Sequence, residues 1–212
     1  MQFINSNYLV VTSGDTTWSV PYPSGTQVGD YLILSVVYSV ITLSGRDGFT
    51  QLEAIENDSS RAVLLYKIAD GIDTDVDLTF SDITNGVAII LAFRDVKEIG
   101  NSSANSQTSP GTTNATVGIT GISEGSSAVA FFIGTDATIG TSHTQPTGYT
   151  EVQDRSSNTP LYDRSMSANY KLNASSSESP SATASNTQDQ RIAFLITLIN
   201  NSSNGSFLGF SF

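Results

Sequence analysis

Hydrophobic residues fall along this chain in short blocks separated by polar turn formers, and nowhere with convincing helical spacing. Tyr31 to Ser39 is a near-continuous apolar run of strand length, and Arg61 to Ile68 and Gly86 to Phe93 are likewise rich in Val, Ile and Leu. Side chains alternate between the two faces of a strand, so an unbroken apolar run marks a strand whose faces are both covered. Asp75 to Phe80 alternates polar and apolar, the pattern of a half-exposed strand. Ala128 to Ile133, Met166 to Leu172 and Arg191 to Ile199 continue the series. Between the blocks sit Gly45-Arg46-Asp47-Gly48, Asp70-Gly71, Asn85-Gly86, Pro146-Thr147-Gly148 and Ser179-Pro180, residue types that turn the chain. Ile55 to Ser59 reads as a polar connection. The pattern predicts an all-β chain, a jelly-roll-like β-sandwich of about 12 strands, roughly six per half.

The blocks also recur in order. Thr12-Ser13-Gly14-Asp15-Thr16-Thr17 returns as Thr108-Ser109-Pro110-Gly111-Thr112-Thr113, an offset of 96 that also places Gly125 on Gly29. Gly48-Phe49-Thr50 returns as Gly148-Tyr149-Thr150 at 100, and Tyr66-Lys67-Ile68 as Tyr170-Lys171-Leu172 at 104. Val87 to Leu91 matches Ile192 to Ile196 at 105. The offset only grows, and it steps inside Gly/Ser/Thr/Asp-rich stretches where loops accept insertions. Two repeated halves, about 8–96 and 104–199, are therefore expected within a duplicated sandwich covering 1–199. The polar stretch 96–121 could be a linker between two sandwiches, yet Thr113 to Ile119 alternates like a first strand. The very apolar strands favour one domain whose halves share a core. Residues 200–212 stand outside the repeat, a flexible tail ending in Phe207-Leu208-Gly209-Phe210-Ser211-Phe212.

Composition narrows the function classes. The chain has 212 residues, enough for a sizeable core, and a net charge of −11. Such a surface repels phosphate backbones and anionic membranes, which argues against both as partners. There is no cysteine, hence no disulfide, thiolate chemistry or Cys-based zinc site. The opening residues lack the basic segment and long apolar core of a signal peptide, and no apolar run approaches the ~20 residues of a membrane helix. Synthesis and folding in a cytoplasm are expected.

Catalytic chemistry has little to stand on. The single histidine, His143, lies in a Thr/Ser-rich loop and reads as a surface residue, with no Gly-x-Ser-x-Gly elbow to present a nucleophile. Glu53 with Glu56, and Glu151 with Asp154, are three residues apart. On a regular strand that spacing puts the members of a pair on opposite faces, so all four read as solvated loop charges. Asp70, Asp73, Asp75 and Asp77 form the one concentrated acidic cluster. Positions 73, 75 and 77 would share a strand face, so Asp73, Asp75 and Asp77 could converge on calcium, the one cofactor in view. The simpler alternative is a solvated turn and outer strand face. Trp18, Tyr22 and Tyr162 lie near turns beside Asp and Asn, where aromatic rings can hold sugars or merely anchor loops. Phe207, Leu208, Phe210 and Phe212 would make an apolar plug for a partner.

The order Val28-Gly29-Asp30-Tyr31-Leu32-Ile33, Gly48-Phe49-Thr50, Leu65-Tyr66-Lys67-Ile68-Ala69-Asp70-Gly71, then Ile90 to Val96 resembles a module of tailed-bacteriophage virion proteins and bacterial surface proteins. In that module a Gly-Asp step before an apolar strand, a Gly-Trp-Thr-like step, a Tyr-Lys/Arg-x-Ala strand and an Ala-x-Arg-Gly-Val strand follow in that order. A shorter second half carries a Pro-x-Gly-aromatic-Thr step, as in Pro146-Thr147-Gly148-Tyr149-Thr150. Here Phe49 stands for the usual Trp and Asp95 for the usual Gly; the similarity spans roughly residues 18 to 199. It brings no catalytic residues. It implies a non-enzymatic virion structural protein, foremost a capsid decoration or cement protein on the particle surface. Its partners would be other capsid or tail proteins and further copies of itself, as in a trimer. The alternative is a tail-fibre or adhesin module that recognises host-surface glycan.

Overall fold

The computed structural model describes residues 1–136, 138–159 and 163–201. No helix occurs among them, and every strand pairing is antiparallel. One sheet is built from β1 (Gln2–Pro21), β2 (Tyr31–Tyr38), β3 (Leu43–Gly45), β4 (Thr50–Glu56), β5 (Arg61–Ile68) and β6 (Asp75–Arg94). Its order is β1-β6-β2-β5-β4, with β3 also on β6. β7 (Val96–Gln107) then crosses to a second sheet with β10 (Ser127–Asp136), β11 (Thr150–Ser156), β12 (Asp163–Lys171) and β15 (Gln190–Asn200). That sheet runs β7-β15-β10-β12-β11. Two short pairs complete the fold: β8 (Gly111–Thr113) with β14 (Thr183–Gln188), and β9 (Ile119–Thr120) with β13 (Ser177–Glu178). The apolar blocks all lie in strands, and the excess over twelve strands comes from two- and three-residue pieces.

The sheets lie face to face. Tyr31, Ile33, Val37, Leu64, Ile89 and Leu91 from the first pack against Val129, Phe131, Ile133, Phe194 and Ile196 from the second in one continuous apolar layer. The intervening residues point outward and are buried as well. Leu32, Leu34 and Val36 meet Trp18, Val76, Leu78 and Phe80 on one side. Ala128, Ala130 and Phe132 meet Ala115, Val117 and Ile119 on the other. β2 and β10 are consequently buried at every position, which is why their sequences do not alternate. Each fully buried Leu, Ile or Phe contributes about 1.5–3 kcal/mol relative to exposure, so a strand that buries both rows adds about twice what a half-wet one does.

The first outer layer forms by a fold-over. β1 and β6 run as one long ribbon: residues 2–11 pair with 86–94 inside the sheet, while residues 17–21 pair with 75–79 and lie across its outer face. The corner falls where the β1 register slips between Val11 and Asp15. Gly86 makes it possible, because a Cβ there would overlap the Val37 carbonyl oxygen and press on the Trp18 ring at 3.0 Å. Val76, Leu78 and Phe80 face in and Asp75, Asp77 and Thr79 face out, as the alternation predicts.

A bidentate ion pair pins the other end. Arg94 donates from Nε to Asp30 Oδ1 at 2.8 Å and from Nη2 to Oδ2 at 2.7 Å, and Gln27 N–H also donates to Oδ2. This ties the Gly29-Asp30 turn to the end of β6. At the matching place after Gly125 stands Ser126, buried and without that bond.

Gly86→Ala is expected to cost about 3 kcal/mol or more by urea unfolding, the upper range for overpacking against backbone. Gly121→Ala, at φ +70° with open space around it, should cost only the left-handed penalty of about 1–2 kcal/mol. Equal losses would mean that the ribbon corner is not tightly packed.

Candidate functional site

At the end of the molecule where β2 passes into the Ser39 turn, turns and strand ends of the first sheet, with Arg164 of β12 beneath them, line a cavity of about 570 Å³. Its base is set by strand parity. On β12, Met166 and Ala168 face the shared core, and Arg164, one alternation earlier, faces the same way just past the core's end. The side chain is 1% exposed and reaches into the first half. Its guanidinium donates to Asn85 Oδ1, to Ser39 Oγ at 3.2 Å and to the Ser59 carbonyl at 3.1 Å. A buried cation needs such acceptors, since desolvation without them costs several kcal/mol. Thr84 Oγ1 accepts from Ser39 N–H at 3.0 Å and fixes the adjoining wall. Asp58 brings a carboxylate, and Val40 and Ile83 bring aliphatic surface at 39% and 66% exposure.

A second concentration of polar groups is internal. On the outward face of β12 stand Ser165, Ser167 and Asn169, all buried, opposite Gly134, Phe132 and Ala130 of β10. At the matching offset β5 carries Val63 and Leu65, so the first half has an apolar layer where the second has a polar one. His143 belongs to this layer and is 6% exposed, which corrects the surface position expected of it. Its Nδ1 accepts from the Asn114 amide at 3.0 Å, its Nε2 lies 3.0 Å from Ser165 Oγ, and its backbone N–H donates to Asp154 Oδ2 at 2.8 Å. Burial pushes the imidazole down to about 4, so it is neutral at pH 7.

Ser165, His143 and Asn114 stand in the order of nucleophile, base and orienting amide. With Nδ1 occupied by the Asn114 amide, the ring proton sits on Nε2 and points at the serine, the wrong tautomer for a general base. All three side chains are buried, which closes the hydroxyl to a substrate in this conformation.

Three carboxyls of the layer, those of Asp136, Glu151 and Asp154, are shifted upward. Asp136 and Asp163 are cross-strand partners. Asp163 accepts from Ser156 Oγ at 2.7 Å, Ser157 Oγ at 3.0 Å and Asn158 N–H at 2.7 Å. Asp136 accepts from Thr138 N–H at 2.6 Å and Gln188 Nε2 at 2.5 Å. Burial, then the charges of Asp163 and Asp189, push the Asp136 carboxyl up to about 6. Glu151 and Asp154 lie on β11 and are half-buried, not in solvated loops. A register slip between Glu151 and Gln153 sets them opposite Asn169 and Ser167, so both face the same side. Burial raises both carboxyls, and the Asp154 charge raises Glu151 further. In β4, Glu53 accepts from Ser102 Oγ at 2.5 Å and Glu56 pairs with Arg61. These two also belong to a strand.

Of the residues singled out from sequence, Asp73 precedes β6 and pairs with Lys67 at 2.5 Å, and Lys67 stands over the Phe49 ring at 6.0 Å. A like arrangement joins Lys171 to Glu178 at 2.7 Å and sets it over the Tyr149 ring at 5.9 Å. Asp75 accepts from Ser19 Oγ across the ribbon at 2.8 Å, and Asp77 is exposed. The three do not converge, and no group of three His, Cys, Asp or Glu side chains is placed to hold a metal among the described residues. Trp18 and Tyr22 are buried, Trp18 at 1% with its ring 4.7 Å from Phe80. The fold-over puts Trp18 inside the outer core, where it offers no face to a sugar, while Tyr22 packs against that core beside a recess it lines with Pro23 and Asp73. Tyr162, Phe207, Leu208, Phe210 and Phe212 lie outside the described residues.

Compared with family models, curated proteins and solved structures, the chain matches none. Sequence reasoning missed Arg164 and the His143 layer. The signals were a lone cation at even spacing from Met166, and Ser and Asn where the repeat has Val63 and Leu65.

The layer predicts opposing pH responses. The Asp136 pKa is raised on folding, so its stabilisation is complete below about 4 and is lost as pH rises through about 6. The His143 pKa is lowered, so its stabilisation is present above about 6.5 and is lost as pH falls towards about 4. As pH falls from 6.5 to 4, Asp136→Asn should lose melting temperature relative to wild type and His143→Gln should gain. Parallel curves for wild type and both variants would remove the layer from the protein's pH dependence.

Proposed function

We propose that this chain is a non-enzymatic virion structural protein, a capsid decoration or cement protein on the particle surface, built as a duplicated jelly-roll-like sandwich. The duplication is supported by the common strand order, β1-β6-β2-β5-β4 against β7-β15-β10-β12-β11. It is supported again by the recurring Lys–aromatic–carboxylate cluster. The observation that carries the structural role is the apolar layer between the sheets. Bonds across the halves, such as Gln153 Nε2 to Ser6 Oγ at 2.9 Å, reinforce it. Two halves that share a core in this way make a stiff block, and the charge of −11 keeps it soluble before assembly. In this reading it is made in a host cytoplasm, assembles as a homo-oligomer such as a trimer, and docks Phe207 to Phe212 on a neighbouring virion protein.

A second reading, a tail-fibre or adhesin module that recognises host-surface glycan, is favoured by the cavity beside Arg164. Gold-labelled antibody on particles of the source separates the two. Hundreds of copies over the head support decoration, a few copies on the tail support recognition, and unlabelled particles overturn the virion reading. Deleting Asn204 to Phe212 should abolish incorporation while leaving the melting temperature of the isolated protein unchanged; retained incorporation would show that the tail is not the anchor.

A further inference from the structure

We infer that the cavity beside Arg164 is a binding site for a neutral, polyhydroxylated ligand, a mono- or disaccharide unit of a glycan. The inference rests on the recognition reading and gives it a location that the buried Trp18 does not. The cavity, at about 570 Å³, falls within the usual range for small-ligand sites. Its chemistry is amphipathic in the way a sugar requires. Ile83 and Val40 offer exposed aliphatic surface to the C–H face of a ring. In the same lining the Ser59 hydroxyl and the Asn85 amide N–H groups can exchange hydrogen bonds with sugar hydroxyls, while Thr84 is buried and bonded to Ser39 and Asn85. The exposed carboxylate of Asp58 accepts from two vicinal hydroxyls, a bond type stronger than a neutral pair.

Charge selects the ligand class. The lining carries one cation, Arg164, and one anion, Asp58. The Arg164 guanidinium is spent on Asn85, Ser39 and Ser59, so it braces the base of the cavity. A net charge of −11 over the whole chain further disfavours acidic sugars. Binding would also be reported to the fold: Arg164 belongs to the second half, and each of these three partners belongs to the first.

The test uses the full chain on a panel of neutral and acidic oligosaccharides, followed by titration calorimetry on the neutral oligosaccharide with the strongest response. Asp58→Ala removes the acceptor, and Ser13→Trp fills the mouth; both positions are exposed, so melting temperatures should match wild type. Each variant is expected to weaken binding about ten-fold or more, the scale of a lost charge-assisted bond or an occluded site. If wild type binds and both variants bind equally well, the cavity is not the site, though the recognition reading survives. Preference for acidic oligosaccharides overturns the assigned ligand class. If wild type binds nothing on the panel, the site and the recognition reading fall together.

Discussion

The structure depends on one constraint: the central strands β2 and β10 are apolar on both faces, so each sheet must be covered twice. Stacking the sheets satisfies one face of each, through the layer that holds Ile33, Leu91, Phe131 and Phe194. It leaves the other face of each sheet wet unless the chain returns over it. In the first half the return is the folded β1–β6 ribbon, which sets Trp18, Val76, Leu78 and Phe80 on Leu32 and Leu34. In the second it is the segment carrying Ala115, Val117 and Ile119. The polar, Gly-rich turns follow from the same demand, since a chain that doubles back over its own sheet needs corners that bulky residues cannot enter. Gly86, with the Val37 carbonyl and the Trp18 ring against it, is the sharpest of them.

The halves meet this constraint with different chemistry. The first encloses Val63 and Leu65, and locks its turn with the Asp30–Arg94 pair. The second encloses Ser167 and Asn169, together with His143, Asn114 and Asp154, and has Ser126 where the first has Asp30. A buried hydrogen-bonded layer contributes less than an apolar one of equal volume, because each polar group gives up water before gaining a partner. It also makes the second half responsive to protons. The acid and the imidazole it encloses are shifted in opposite senses by burial, so their linkages to folding act against each other between pH 4 and 6.5.

Much of the architecture was legible from periodicity. Unbroken apolar runs announced doubly covered strands, and the alternation from Asp75 to Phe80 gave the inward and outward rows correctly. The position of side chains in the third dimension was less accessible. Trp18 looks like a loop aromatic until the ribbon folds over and buries it. Glu151 and Asp154 looked like opposite faces because the slip near Gln153, which brings them to one side, leaves no mark in a single sequence. Asp73 looked like one of three strand carboxylates, yet Lys67 takes it, just as Lys171 takes Glu178. The Tyr-Lys repeat held that information, but only the fold shows which acid each lysine selects. His143 was misplaced for the same reason, since the turn that carries it is pulled inward by partners at positions 114 and 165.

The cavity beside Arg164 is the remainder of the same packing problem. Two twisted sheets stacked face to face diverge towards their ends, and there the side chains of the shared layer no longer meet. Past Met166 the next inward position of β12 is Arg164, long enough to cross the gap to the Ser39, Ser59 and Asn85 loops. An aliphatic residue there would draw the loops inward and close the space, or leave a dry void with its attendant loss of contacts. A guanidinium instead holds the loops at arm's length by hydrogen bonds, and what lies outside it becomes a recess of mixed aliphatic and polar lining. The stacked sheets thereby acquire a concave surface at one end.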